Sequence, residues 1–177
     1  MTQIKFEYAQ PNDLPKIVEI YNEIIPSRLA TADLVPVSVA SRQAWFQAFN
    51  HDRRPIWVIK ADQTIVGWVG LESFYGRPAY QHTAEISIYL DKNYRRHQLG
   101  QQALEYVRTQ LRRLNLDTLV AFVFSHNLPS QKLFKKNGFE KWGHLPDVAL
   151  MDDQRRSLDI LGRHFGNLIN DAEPVVK

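Results

Sequence analysis

Residues 83–107 read TAEISIYLDKNYRRHQLGQQALEYV, and two periodicities meet inside them. From Thr83 to Leu90 the side chains alternate. Glu85, Ser87 and Tyr89 fall on one face, with Ile86, Ile88 and Leu90 on the other, the period-two pattern of a strand. After Gly100 the period lengthens: Ala103, Leu104, Val107, Leu111 and Leu114 return every three or four residues and predict a helix with one buried face. Between the two lie Arg95, Arg96, His97 and Gln98. The first turn of a helix offers backbone N–H groups that lack internal partners, and its dipole favours an anion. Gly100 lets a ligand approach the backbone closely. The run matches neither the P-loop nor the G-x-G-x-x-G fingerprint. On these residues alone, a phosphate cradle and a plain basic helix start are both open.

Around this stretch the chain reads as one domain, residues 1–165, with a polar tail at 166–177. The 177 residues are 44% hydrophobic and 23% charged, ordinary for a globular protein with a sizeable core. A net charge of +3 suits an anionic small molecule and falls short of the basic stripe of a dedicated nucleic-acid binder. There is no cysteine, which excludes disulfides, thiolate metal sites and a cysteine nucleophile. The N-terminus MTQIKFEYAQ has no apolar signal core, and no apolar run approaches membrane-spanning length. The expected location is the cytoplasm, with no membrane and no nucleic acid as partner. The six histidines show no metal-ligand spacing, so no metal is expected.

IKFEYA alternates as a first strand, and Asn12 or Asp13 is placed to cap a helix carrying Leu14, Ile17, Val18, Tyr21 and Ile24 on one face. A second helix is expected from Ser38, burying Trp45, Phe46 and Phe49. IWVIKADQTIVGWVGLE predicts a hairpin turning at Asp62-Gln63. SFYGRPAYQ is a loop. TLVAFVF has almost no polar position and predicts a strand covered on both sides. A short helix from Ser130 to Asn137 ends at Gly138, and WGHLPDVAL with RRSLDILGRHF closes the fold as a hairpin. The class is α+β, or mixed α/β, in three layers with helices on both faces.

TAEISIYLDKNYRRHQLGQQALEYV, followed by SHNLPSQKLFKKNGF, resembles the GNAT acetyltransferase superfamily. DLPKIVEIYNEII, Trp45-Phe46, AYQHTAEISIYL and LDILGRHF are similar to its phosphinothricin and methionine sulfoximine/sulfone acetyltransferases, from about Ile4 to Phe165. The resemblance implies a twisted, mostly antiparallel central sheet, acetyl-CoA as co-substrate, a small amino acid or analogue as acceptor, and a homodimer. The family's pyrophosphate loop, R/Q-x-x-G-x-G/A, falls on Arg95, Arg96, His97, Gln98, Leu99 and Gly100, with Gln98 replacing the first glycine. The resemblance also assigns acetyl-CoA contacts to Gln101, Asn127 and Ser130, and to the backbone of Ile88, Tyr89 and Leu90. Because the rest of the loop is intact, Gln98 is expected at φ < 0, where a residue with a Cβ is comfortable. A side chain at Gly100 is expected to block the phosphate or a facing strand.

An amine must be neutral to attack a thioester, so a base in the site is useful. The resemblance gives that role to Glu85; read alone, Glu85 fits an exposed strand glutamate better. Family members often carry a tyrosine or histidine thiol donor in the helix after Asn127, where this chain has Phe134. Tyr89, Tyr80 and His126 are other donors. Arg77 is the candidate for the acceptor carboxylate, since its planar fork suits a bidentate contact, with Phe74 and Tyr80 as walls. Other acceptors (a polyamine, an aminoglycoside, a protein N-terminus) stay open, as does a non-catalytic acyl-CoA-binding module.

Overall fold

The computed structural model describes residues 3–95 and 97–166. Arg96 and nearly all of the polar tail lie outside the described residues. The strands are β1 (Ile4–Tyr8), β2 (Ile56–Ala61), β3 (Thr64–Ser73), β4 (Thr83–Leu90), β5 (Thr118–Phe124), β6 (Glu140–Met151) and β7 (Gln154–His164), and the helices α1 (Leu14–Ile24), α2 (Val39–Gln47), α3 (Leu99–Gln110) and α4 (Leu128–Lys136). The strands form one sheet in the order β1-β2-β3-β4-β5-β7-β6. Every neighbouring pair is antiparallel except β4 and β5.

The periodicities explain the layers. Trp57, Ile59, Val69, Leu71, Ala84 and Ile86 point to the face covered by α3, and meet Leu99, Ala103, Leu104 and Val107 of that helix. Ile56, Val58 and Trp68 point to the opposite face and meet Leu14, Ile17, Val18 and Ile20 of α1. β5, lacking polar positions, is buried along almost its whole length, as its composition predicts.

α2 departs from the expectation. Ser38 caps it, its Oγ accepting from the Ser41 N–H at 3.1 Å, but none of its residues is fully buried. Trp45, Phe46 and Phe49 are only half-covered, because the helix roofs a cleft instead of packing flat on the sheet. Buried Arg54 holds the entrance to β4. Its Nη2 donates to the carbonyls of Gln81 and Thr83 at 3.0 and 3.1 Å, and burial lowers its pKa to about 10, still charged at neutral pH.

Candidate active site

β4 and β5 pair only at Thr83–Thr118, Ala84–Leu119 and Glu85–Val120, then separate. The amides along the open edge follow from the ladder. The Asp91 N–H donates to the Val66 carbonyl, and the Leu71 N–H to Pro55, both at 2.9 Å. With an unbroken β3–β4 register, Ser87, Tyr89 and Asp91 direct their N–H groups to β3, while Ile88 and Leu90 direct theirs into the gap. The expectation of three consecutive backbone donors is therefore corrected to two, because a strand alternates. Tyr89 contributes its ring, which stacks on Trp68 at 4.6 Å.

The gap opens into a cleft of about 390 Å³ lined by Ile88, Leu90, Arg95, Gly100, Asn127, Ser130 and Phe134, among others. Arg95 is exposed, and its Nε donates to the Leu90 carbonyl at 3.4 Å. His97 is exposed beside Tyr94. Asn127 is buried as the cap of α4, its Oδ1 accepting from the Ser130 N–H at 3.2 Å. The Gln101 side chain is committed elsewhere: it exchanges amide hydrogen bonds with Asn137 at 2.8 and 2.9 Å, tying α3 to α4.

Gln98 overturns its expected conformation. It is the N-cap of α3 at φ 58, ψ 15, in the left-handed region, and its side chain makes no cap hydrogen bond. The chain must reverse here to enter the helix, in a conformation that glycine adopts without the steric cost of a Cβ. Gln98→Gly is expected to stabilise the fold by up to about 1 kcal/mol, the relief of a Cβ in this region less the entropy cost of glycine. Urea denaturation checks it, and an unchanged or lowered midpoint would count against strain at this residue. At Gly100 the facing strand of the expectation is replaced by a helix. A Cβ there would stand 2.9 Å from Leu133 Cδ2 of α4, so the glycine relieves a helix–helix contact and not a strand contact. The uncapped first turn of α3, the two inward amides and the narrow seam at Gly100 fit a long anionic thioester laid along the gap.

On the α1/α2 face, a second cleft of about 240 Å³ is lined by Tyr21, Arg42, Trp45, Trp68, Glu72, Glu85, Ser87 and Tyr89, with Ile17, Val18 and Val37. Ser87 and Tyr89 border both this cleft and the β4–β5 gap, so the two spaces meet at one strand. Glu85 has its proton affinity pushed up to about 7, first by burial and then by the negative charge of Glu72. Glu72 is its direct cross-strand partner on β3. Burial raises Glu72 as well, opposed by the Trp45 Nε1–H, which donates to its Oε1 at 3.1 Å, and by the charge of Arg42. Arg42 pairs with Asp33 at 2.6 Å and lies over the Tyr21 ring.

Glu72 and Arg42 were missed in the sequence. GLES reads as the end of a hairpin strand, and only the β3–β4 register brings Glu72 opposite Glu85. Arg77, Phe74 and Tyr80 do not line this cleft. They stand on the β3–β4 connection, Arg77 exposed, Phe74 against Tyr75 and Tyr80. Phe134, at the position where a thiol donor would stand, is 5% exposed and apolar. The Tyr89 hydroxyl donates to the Ala30 carbonyl at 3.2 Å, and burial pushes its pKa far up. His126 Nε2 lies 2.8 Å from the Arg28 carbonyl.

The sequence profile of the acetyltransferase (GNAT) family matches residues 15–139. YwnH of Bacillus subtilis (strain 168), whose name assigns it provisionally to phosphinothricin acetylation, is 43% identical over 89% of this chain and 96% of its own length. An L-methionine sulfoximine/L-methionine sulfone acetyltransferase of Pseudomonas paraeruginosa (strain DSM 24068 / PA7) is 33% identical over 77% of this chain and 80% of its own. A phosphinothricin acetyltransferase of Sinorhizobium meliloti, solved with acetyl-CoA, shares the fold at a TM-score of 0.86 and 24% identity, covering all of this chain and 95% of that one. With the splayed β4–β5 pair and the uncapped start of α3, these matches place the chain in the GNAT acetyltransferase family, as an acetyl-CoA-dependent N-acetyltransferase.

Proposed function

We propose that the acceptor is the amine of a small amino acid or amino-acid analogue, of the phosphinothricin or methionine sulfone type. The observation that carries this is the cleft of about 240 Å³ in which Glu72 and Glu85 share a wall with Arg42, beside the thioester gap. An amino-acid head group carries both signs of charge, and this cleft offers both in return. Its volume suits one small molecule better than an aminoglycoside. The names of the relatives point the same way.

In the proposed reaction Glu85, directly or through a water, takes a proton from the acceptor ammonium. The neutral nitrogen attacks the thioester carbonyl. The inward N–H groups of Ile88 and Leu90 face the developing oxyanion and the chain of the co-substrate. The C–S bond breaks, the proton that the nitrogen still carries in excess passes to solvent or to the departing sulfur, and the CoA thiolate leaves without a proton from Phe134. Its pKa, near the 8.5 or so of a cysteine thiol, allows it to leave as the anion. Arg95, Gly100 and the first amides of α3, at Leu99 and Gln101, are placed for the phosphates, with Asn127 and Ser130 on the opposite bank.

Residues 1–165 act as the one catalytic domain, and the cytoplasm is proposed from the acetyl-CoA requirement. A homodimer is proposed on the family resemblance and on the apolar exposure of the β6–β7 hairpin, where Val148 and Leu150 are each 54% exposed. Such a pairing is also where Arg77, Phe74 and Tyr80 would find a partner. Sedimentation at the mass of one chain would sink it.

The deciding experiment is a CoA-release screen over free amino acids, methionine sulfone, methionine sulfoximine, phosphinothricin, polyamines and aminoglycosides. Release with the amino-acid set alone is the expected result. Release only with cationic acceptors overturns the acceptor class. Binding of acetyl-CoA without release for any amine makes the chain an acyl-CoA-binding module.

A further inference from the structure

Glu72 has no role in the reaction as derived so far, yet its position is unusual. It lies directly across the β3–β4 ladder from Glu85, and both side chains line the same cleft. Like charges directly opposite on antiparallel strands destabilise a sheet, so an ionised pair would carry a cost here. No cation pairs directly with either carboxylate among the described residues. Among the described residues, the side-chain hydrogen bond made to the pair is a donated one: Trp45 Nε1–H to Glu72 Oε1 at 3.1 Å.

We propose that Glu72 is a second functional carboxylate, a positioning residue that holds one proton jointly with Glu85 and sets the pH at which Glu85 becomes a base. This rests on the reading of Glu85 as the base.

The asymmetry between the two comes from their neighbours. A donor to a carboxylate favours its ionised form, so the indole N–H of Trp45 keeps the charge on Glu72 and leaves the shared proton on Glu85. The other titratable or charged groups facing the pair are Tyr21 from α1, Arg42 from α2 and Tyr89 from β4. Arg42 is the cation among them and is already engaged by Asp33. Tyr21 donates to Asp33 and contacts the Thr31 hydroxyl. Tyr89 is directed at Ala30. None of these hydroxyls reaches the carboxylates, so the charge of Glu72 acts on Glu85 with little local screening. Once the pair has released its shared proton to solvent, an entering acceptor ammonium places its positive charge between two carboxylates, and one proton then moves from nitrogen to Glu85 while Glu72 stays ionised. Two groups this close titrate as a pair, in two macroscopic steps.

The test uses the full chain. Side-chain carboxyl ¹³C NMR, with Glu72 and Glu85 assigned, follows both groups in the free protein and needs no substrate. In the wild type each resonance is expected to show two inflections at shared pH values. In Glu72→Gln the Glu85 resonance should show one step, lower by about one pH unit. The acid limb of the kcat/KM profile should move with it, and Glu72→Asp should restore it. Independent single-step titration of the two carboxylates in the wild type overturns the proposal, even if Glu72→Gln fails to fold. So does a Glu72→Gln profile whose limb stays in place while its height falls, the mark of a merely structural role. If wild type releases CoA with no amine but the carboxylates titrate as a pair, the acceptor reading fails and the coupling stands.

Discussion

Glu85→Gln is expected to lower kcat/KM for the acceptor about 10²- to 10⁴-fold at pH 7, the usual contribution of a positioned base. An α-amine near pKa 8 costs about 1.4 kcal/mol to deprotonate at pH 7, and a base with an affinity near neutrality can take that proton within the site. Glu85 is held at about 7 by burial and then by Glu72. The wild-type profile should therefore rise through neutrality. The variant should follow the acceptor's own ionisation, so the two converge at high pH. A loss below threefold with an unchanged profile would remove Glu85 from the chemistry. The same substitution should move stability the other way. The folded-state pKa of Glu85 lies above its ordinary 4.5, so the fold binds this proton more tightly than the unfolded chain does. Wild type then loses stability as pH rises from about 4.5 to about 7, whereas glutamine has no charge to bury. At pH 8 the inactive variant should be more stable by about 1–2 kcal/mol, a figure reduced for the partial exposure of the site. Near pH 4 the two should melt alike.

Gly100→Val should cost more than tenfold in acetyl-CoA affinity, or about 1.4 kcal/mol and upward. The first atom of any side chain there stands 2.9 Å from Leu133 Cδ2, and valine adds two methyls that cannot rotate away together. Since α3 and α4 are also joined by the Gln101–Asn137 amide pair, the helices cannot simply part without breaking it. The strain should push Leu133 and the first turn of α3 into the space that the co-substrate needs, both of which line its cleft. Overpacking of this kind typically destabilises by about 1–3 kcal/mol. Gly100→Ala should show a weaker form of both effects, because the end of the leucine can turn. Calorimetric titration decides it; wild-type affinity in Gly100→Val would show that the α3–α4 seam does not shape the phosphate site.

Legibility followed the range of the interactions involved. α1, α3, β4 and β5 could be read because their apolar spacing records a local choice of face. α2 could not be read as a roof, because Trp45 and Phe46 look the same whether they cap a core or overhang a cleft. Glu85 stood out only through the family resemblance. Glu72 stayed hidden because its meaning depends on a register set by two strands and the connection between them. At Gln98 the local argument pointed the wrong way. A glutamine prefers φ < 0, but the chain reversal into α3 overrides that preference. Arg77 and its aromatic neighbours looked like a pocket in the sequence, yet within one chain they stand apart from the carboxylates.

The brevity of the β4–β5 pairing has a mechanical consequence. Three register pairs, with the His82 carbonyl accepting from the Asp117 and Thr118 N–H groups just before them, stitch the plate β1–β4 to the plate β5–β7–β6. Elsewhere the sheet is continuous, so the seam is where the backbone ladder is thinnest, and the two plates are held in relation largely by the side chains beneath α3. Cooperative units of a protein tend to divide along such lines. Amide hydrogens flanking the seam, those of Ile86 and Ile88 and their counterparts on β5, should exchange sooner than those of the β5–β7 ladder. A thioester bridging the gap would then act as a strut between the plates, slowing that exchange on both sides of the seam at once.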